Sequence, residues 1–336
     1  MGAIERPQPL TLTSEPTSFE GIVRRIPDAV EMAKMEAKSS RLAHTPEGEY
    51  ALTYLLAARN LMRPVLNDMR AIGSDLLTPT GGWEYNPQRM IDEIGTSIAL
   101  HIARQTTNIP NLWMRVEEHA KWTPTRPNEG MCEECNRFAI IDPLDMTASI
   151  PRGDRVQTTG IAIYDRQGAV QAVGIMSLVD DGMLFMDEID GKESNVTKGA
   201  GADKKLEEAA PLRVATLTRR MHALRDLPLF TSQHGVWVQD CVSGYALLSL
   251  LNKTVDTIVD PVKGNPWYEF LIWGAAAKAA GVPISDPSGK PIDIAGIARF
   301  AIQKNPDENY RIQFVISKTP EIHQRVLSLL KPPTGK

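Results

Sequence analysis

The sequence predicts an α+β protein, with an antiparallel meander in its first part and interleaved strands and helices in its second. Three observations predict this. Two stretches ending near Ile72 and Gln105 carry apolar residues at helical spacing. Three short β-type runs, separated by turns, follow between Gly160 and Met186. Beyond residue 208, strand-like and helix-like runs alternate to the end of the chain.

The bulk composition fits a globular chain. Its 336 residues are 42% hydrophobic and 23% charged, enough to bury a core of one or two domains. A net charge of −4 gives no electrostatic footprint for nucleic acid. No apolar run approaches the ~20 residues of a membrane span. The N-terminal stretch lacks the apolar segment of a secretion signal. Three cysteines point to a reducing compartment, and the expected location is the cytoplasm. Cys132-Glu-Glu-Cys135 has no second ligand pair to complete a zinc site. The sequon Asn195-Val-Thr197 then reads as accidental.

In chain order, residues 1–45 are rich in Pro, Ser, Thr and Glu and read as a peripheral arm, with a helix possible over 28–42. The helix expected over 49–72 contains Pro64, a potential kink. The one over 90–105 carries Asp92 in its first turn. Residues 111–116 read as a strand ending in Glu117-Glu118. The meander is Gly160–Tyr164, Ala169–Val173 extended through Val179, and Met183–Met186. Leu212–Leu227 reads as a helix with Arg219, Arg220 and Arg225 outward. Strands are expected at 235–238, 254–259, 283–286 and 312–316, and helices at 243–251, 269–280 and 321–330. The domain division that follows is 1–45, 46–207 and 208–336.

The chemistry concentrates at Ile140-Ile-Asp-Pro-Leu-Asp-Met-Thr147. An apolar strand runs into two carboxylates three residues apart around a proline. Pro143 biases Asp142 toward an extended conformation, so the strand is expected to end there. Alone, this segment reads first as a loop with a helix cap and second as one side of a hard-cation site. A helix starting near Met146 would aim free N–H groups at an anion. The six histidines are scattered, and no nucleophile set of the Ser-His-Asp or Cys-His type is visible. His119 and His234 read as a neighbour of the glutamates and a packing residue respectively.

Taken together, these residues resemble the inositol monophosphatase and fructose-1,6-bisphosphatase superfamily. Those proteins carry a Glu-Glu pair after a strand, a D-P-[IL]-D-G-[TS] motif, and a W-D-x-x-A helix start leading to an A-G-G turn. Glu117-Glu118 resembles the first. Asp142-Pro-Leu-Asp-Met-Thr147 resembles the second, with Met146 in the glycine position. Trp267-Tyr-Glu269, leading to Ala280-Gly281, resembles the third, with glutamate for aspartate. The likeness covers roughly residues 50–330.

The resemblance implies a layered α-β-α-β-α sandwich and a Mg²⁺-dependent phosphatase acting on a small phosphorylated sugar or polyol, with two or three ions. It implies Glu117, Asp142, Asp145, Glu269 and the Leu144 carbonyl as metal ligands. It implies Thr147, with Asp92 and Glu117, as the group that positions water. Met146 and Thr147 N–H would hold phosphate, and Ser243 and Asp260 would meet the rest of the substrate. A homodimer is implied by the same analogy. The Met146 and Glu269 departures leave two alternatives: a catalytically weak member that binds a phosphorylated ligand or partner, and a phosphatase of nucleotides or bisphosphates.

Overall fold

The computed structural model describes residues 19–72, 87–105, 109, 111–116, 121–125, 137–145, 155–187, 195–197, 212–216, 227–230, 237–240, 244–307 and 309–331. The helices are α1 (Phe19–Arg24), α2 (Ile26–Ser40), α3 (Pro46–Ile72), α4 (Pro87–Gln105), α5 (Gly244–Leu251), α6 (Trp267–Ala279), α7 (Ile294–Lys304) and α8 (Pro320–Leu330). The first sheet holds β1 (Leu112–Val116), β2 (Thr123–Pro124), β3 (Arg137–Asp145), β4 (Thr158–Asp165), β5 (Val170–Ser177), β6 (Met183–Asp187) and β7 (Asn195–Thr197). The second holds β8 (Arg213–Thr216), β9 (Trp237–Asp240), β10 (Thr257–Pro266), β11 (Ile284–Ser285) and β12 (Arg311–Ser317).

The first sheet runs β2-β1-β3-β4-β5-β6-β7. Among its described strands β1 and β3 pair in parallel and the rest pair antiparallel, including the expected meander β4-β5-β6. The second sheet runs β11-β12-β10-β8-β9, with β8, β9 and β10 parallel and β12 antiparallel. Strand side chains alternate between faces, so each sheet needs two covers. Ile141, Ile161 and Ile163 face α2, α3 and α4 in one buried cluster. Phe138, Ile140, Ala162 and Tyr164 face α5 and α6 in a second, which also takes Ile258, Phe314 and Ile316 of the second sheet. Val259, Val315 and Val214 point away, toward α8. The order is therefore helix, sheet, helix, sheet, helix.

Several local expectations change. Residues 26–40 are not a peripheral arm: Ile26, Ala29, Val30, Ala33 and Ala37 are buried in the first cluster. The α3 helix passes through Pro64 without ending. The helix expected over 212–227 begins instead as β8, with Val214 and Ala215 fully buried; residues 217–226, with their arginines, lie outside the described residues. Strands buried on both faces lose the polar alternation that marks them in sequence. The sequon lies in β7. Helix α7 has no counterpart in the sequence reading; Asp293 caps it by accepting from Gly296 N. No helix among the described residues is long and apolar enough to cross a membrane.

Two buried polar clusters fix element ends. Asp187, at the end of β6, accepts from His44 N, Thr45 N and Thr45 Oγ1, and so caps the start of α3. His323 of α8 is 5% exposed and held on both ring nitrogens, by Ser285 Oγ at 2.9 Å and Ser317 Oγ at 3.1 Å. Ser317 Oγ in turn lies 2.9 Å from Thr257 Oγ1, which ties β10, β11, β12 and α8 together.

Burial holds the His323 pKa below its ordinary value, because desolvation penalises the imidazolium. The unfolded chain then binds more protons than the folded one once the pH falls below about 6.5. The stabilising contribution of neutral His323 is complete above that pH and is lost as the pH falls toward the folded pKa. Urea denaturation at pH 7.5 and pH 5.0 is expected to show a larger loss for the wild type than for His323→Gln. Equal losses would remove His323 as the cause.

Candidate active site

Strand β3 does not stop at Asp142. It continues through Pro143 and Leu144 to Asp145, by way of an irregularity. Asp142 pairs with Gly160 and Asp145 with Thr158, so three steps along β3 match two along β4. That is a β-bulge of one residue. Pro143 has no N–H to give the ladder, which makes the bulge its natural place in an interior strand. In a regular strand, residues three apart point to opposite faces. The extra residue cancels that difference. Asp142 and Asp145 therefore share the face of Gly160 and Thr158.

That face meets α5 and α6. A Cβ on Gly160 would lie 2.7 Å from Ile272 Cγ2 of α6, so β4 and α6 touch across a bare glycine. Asp145 Oδ2 accepts from Gly244 N, the first residue of α5, at 2.7 Å, and from Thr158 Oγ1 at 3.3 Å. Gly244 is similarly close-packed: its Cβ would lie 2.7 Å from Thr158 Oγ1. Glu269 lies in the first turn of α6, one turn before Ile272. Its Oε2 accepts from Asn265 Nδ2 at 2.9 Å. A carboxylate there is favoured by the helix dipole.

The opposite face holds the backbone. Thr159 Oγ1 donates to the Asp142 carbonyl at 3.2 Å, and Tyr54 OH of α3 lies 3.2 Å from that hydroxyl. Helix α4 abuts the bulge through Gly95, whose Cβ would sit 2.4 Å from Pro143 Cβ. Asp92 lies three residues before Gly95 in that helix.

Asp142 is 4% exposed, and a carboxylate so buried calls for positive charge or hydrogen bonds. Asp142, Asp145, Glu269 and the Leu144 carbonyl are all oxygen donors, which suits a hard divalent cation. Among the described residues, no three His, Cys, Asp or Glu side chains form a metal-holding group. Asp142 and Asp145 by themselves fit one side of such a site. Glu117 would join them from the end of β1, whose last residue, Val116, pairs with Ile141. Glu117, Met146, Thr147 and Ser243 lie outside the described residues, as do His119, Cys132, Cys135 and His234.

Asp260 is buried in β10, two residues past Ile258, which pairs in parallel with Ala215. Its Oδ1 accepts from Gly264 N at 3.2 Å across the irregularity between Asp260 and Asn265. The end of parallel strands it occupies is the one where such sheets bind ligands.

One residue of this region escapes the sequence reading. Arg115 of β1 is 3% exposed, and its guanidinium carbon lies 4.9 Å from the Trp267 ring and 5.1 Å from the Tyr268 ring. These rings open α6. The sequence signal is slight: one charge in an otherwise apolar strand, Leu112-Trp-Met-Arg-Val116.

The chain has the inositol monophosphatase fold. It superposes on the inositol monophosphatase of Thermotoga maritima with a TM-score of 0.52 and 15% identity, covering 80% of this chain and 92% of that one. Inositol monophosphatase II of Staphylococcus aureus gives 0.55 and 11%, covering 84% and 93%. An inositol monophosphatase/NADP phosphatase complexed with NADP and Ca²⁺ gives 0.53 and 14%, covering 84% and 93%. The layer order expected from the motifs is the order found. No protein-family model and no curated protein matches the sequence.

The glycine at position 95 yields a test with a definite sign. Gly→Ala inside an open helix stabilises by about 1 kcal/mol. Against the rigid Pro143 ring, Gly95→Ala is expected to destabilise by about 1–3 kcal/mol in urea denaturation. A gain in stability would mean that α4 does not press on the bulge.

Proposed function

We propose that this chain is a Mg²⁺-dependent phosphomonoester hydrolase acting on a small phosphorylated sugar or polyol. The observation that carries this reading is the bulge, which puts Asp142 and Asp145 on one face of the first sheet, the face that meets α5 and α6, within an inositol monophosphatase fold. The ligands would be Glu117, Asp142, Asp145, Glu269 and the Leu144 carbonyl. Two or three divalent ions held there would supply charge neutralisation and an activated water.

The remaining roles belong to the chain itself. Phosphoryl transfer needs placement and electrostatic support more than covalent help. Thr147, with Asp92 and Glu117, would orient the attacking water. The N–H groups of Met146 and Thr147 would hold the phosphate oxygens. Ser243 and Asp260 would meet the substrate's hydroxyls. A homodimer working in the cytoplasm belongs to the same reading.

A second reading has its own support. Asp145 Oδ2 already accepts two hydrogen bonds from the protein. Together with Met146 and Glu269, this favours a chain that binds a phosphorylated ligand without efficient turnover. A third reading, nucleotide or bisphosphate hydrolysis, draws on the NADP-bound neighbour.

Phosphate release over inositol, sugar and nucleotide phosphates separates the three. The expected result is Mg²⁺-dependent release from a sugar or polyol phosphate, reduced at least about 100-fold by Asp142→Asn. Asp145→Asn keeps an oxygen for Gly244 N, so it is expected to hold its melting temperature while losing activity. Release from no substrate, with Mg²⁺ still bound, would establish the binding reading.

A further inference from the structure

The buried guanidinium of Arg115 has no part in the reaction just described. We infer that it is a built-in counter-charge to the carboxylate set and determines how tightly the site takes a divalent cation. This rests on the metal-site reading above. Arg115 pairs in parallel register with Ile140, and Asp142 lies two residues further along β3 on the same face. Neighbouring strands are ~4.8 Å apart and rise ~3.3 Å per residue, which puts the two Cα atoms ~8 Å apart. Both side chains are almost fully buried, so the charges interact with little screening by solvent.

The arginine is also fixed in place. Its guanidinium lies over Trp267 and Tyr268, and Trp267 is itself anchored, donating from Nε1 to the Pro306 carbonyl at 3.1 Å. Ring faces attract a cation and leave its charge in place. A guanidinium does not lose its proton in a protein. A permanent positive charge is therefore carried by the strand next to Asp142, on a residue whose Cα lies ~8 Å from that of Asp142 and two positions before Glu117. It lessens the repulsion among the carboxylates before any ion arrives, and it opposes the arrival of a second positive charge.

The test is direct metal binding to the full chain, measured by calorimetry with MgCl₂ and MnCl₂, with thermal melting as a fold control. Arg115→Met is expected to lower the Mn²⁺ dissociation constant at least about tenfold, because a neutral side chain no longer repels the ion. Arg115→Lys keeps the charge and is expected to stay within about threefold of wild type. If the methionine variant fails to fold, Arg115→Gln takes its place and is expected to tighten binding likewise. Unchanged or weaker binding in the neutral variant, with the wild type still binding metal, overturns the role of Arg115 alone. A lysine variant that shifts as far as the methionine one overturns it too. Should the wild type bind neither metal and release no phosphate, the metal-site reading itself falls.

Discussion

A single extra residue in β3 governs which way the acids of the candidate site face. Strand periodicity would send two acids three positions apart to opposite layers, one into the α3–α4 side and one toward α6. The Pro143-Leu144 bulge turns both to the α6 side. Much of the nearby packing follows from accommodating it. Gly95 lets α4 press on Pro143, and Gly160 lets α6 press on the strand opposite Asp142. Thr159 and Tyr54 hold the Asp142 carbonyl from behind. Glycines in a helix and a strand interior weaken those elements locally. Here they are the residues that allow backbone layers to meet around the bulge.

The α+β character is legible in the sequence because many elements obey one clear period, whereas the layer order is implied by the motif resemblance. The apolar positions of α3 and α4 and the β4-β5-β6 meander are visible in spacing, α6 is visible as a nearly continuous apolar run, and their boundaries shift by a few residues. Where the reading fails, tertiary context overrides the local signal. Pro143 reads as a strand end because proline usually interrupts a ladder; the bulge lets the strand continue. Arg213–Thr216 sits between β9 and β10 in the parallel part of the second sheet and shows no polar alternation. The alanines of α2 give little apolar signal, yet they are what lets it lie close on α3.

The candidate site is legible in its residue types and not in its supports. Asp142, Asp145 and Glu269 stand out through the motifs they resemble, and among the described residues no three acids form a metal-holding group. Arg115 and Gly95 matter through what they face, and facing depends on register between distant segments. Their sequence neighbourhoods are ordinary: one charge in a hydrophobic strand and one glycine in an amphipathic helix.

The hydrogen bond from Gly244 N to Asp145 Oδ2 has a mechanical meaning. It runs from the first sheet to a helix in the layer between the two sheets. A residue engaged with a ligand on one side and with a helix end on the other cannot release either without disturbing both. The first sheet is thereby tied at Asp145 to the helical layer that it shares with the second sheet through their common core. A ligand drawing on Asp145 would then raise the melting temperature of the whole chain, with a single transition, instead of protecting one half alone.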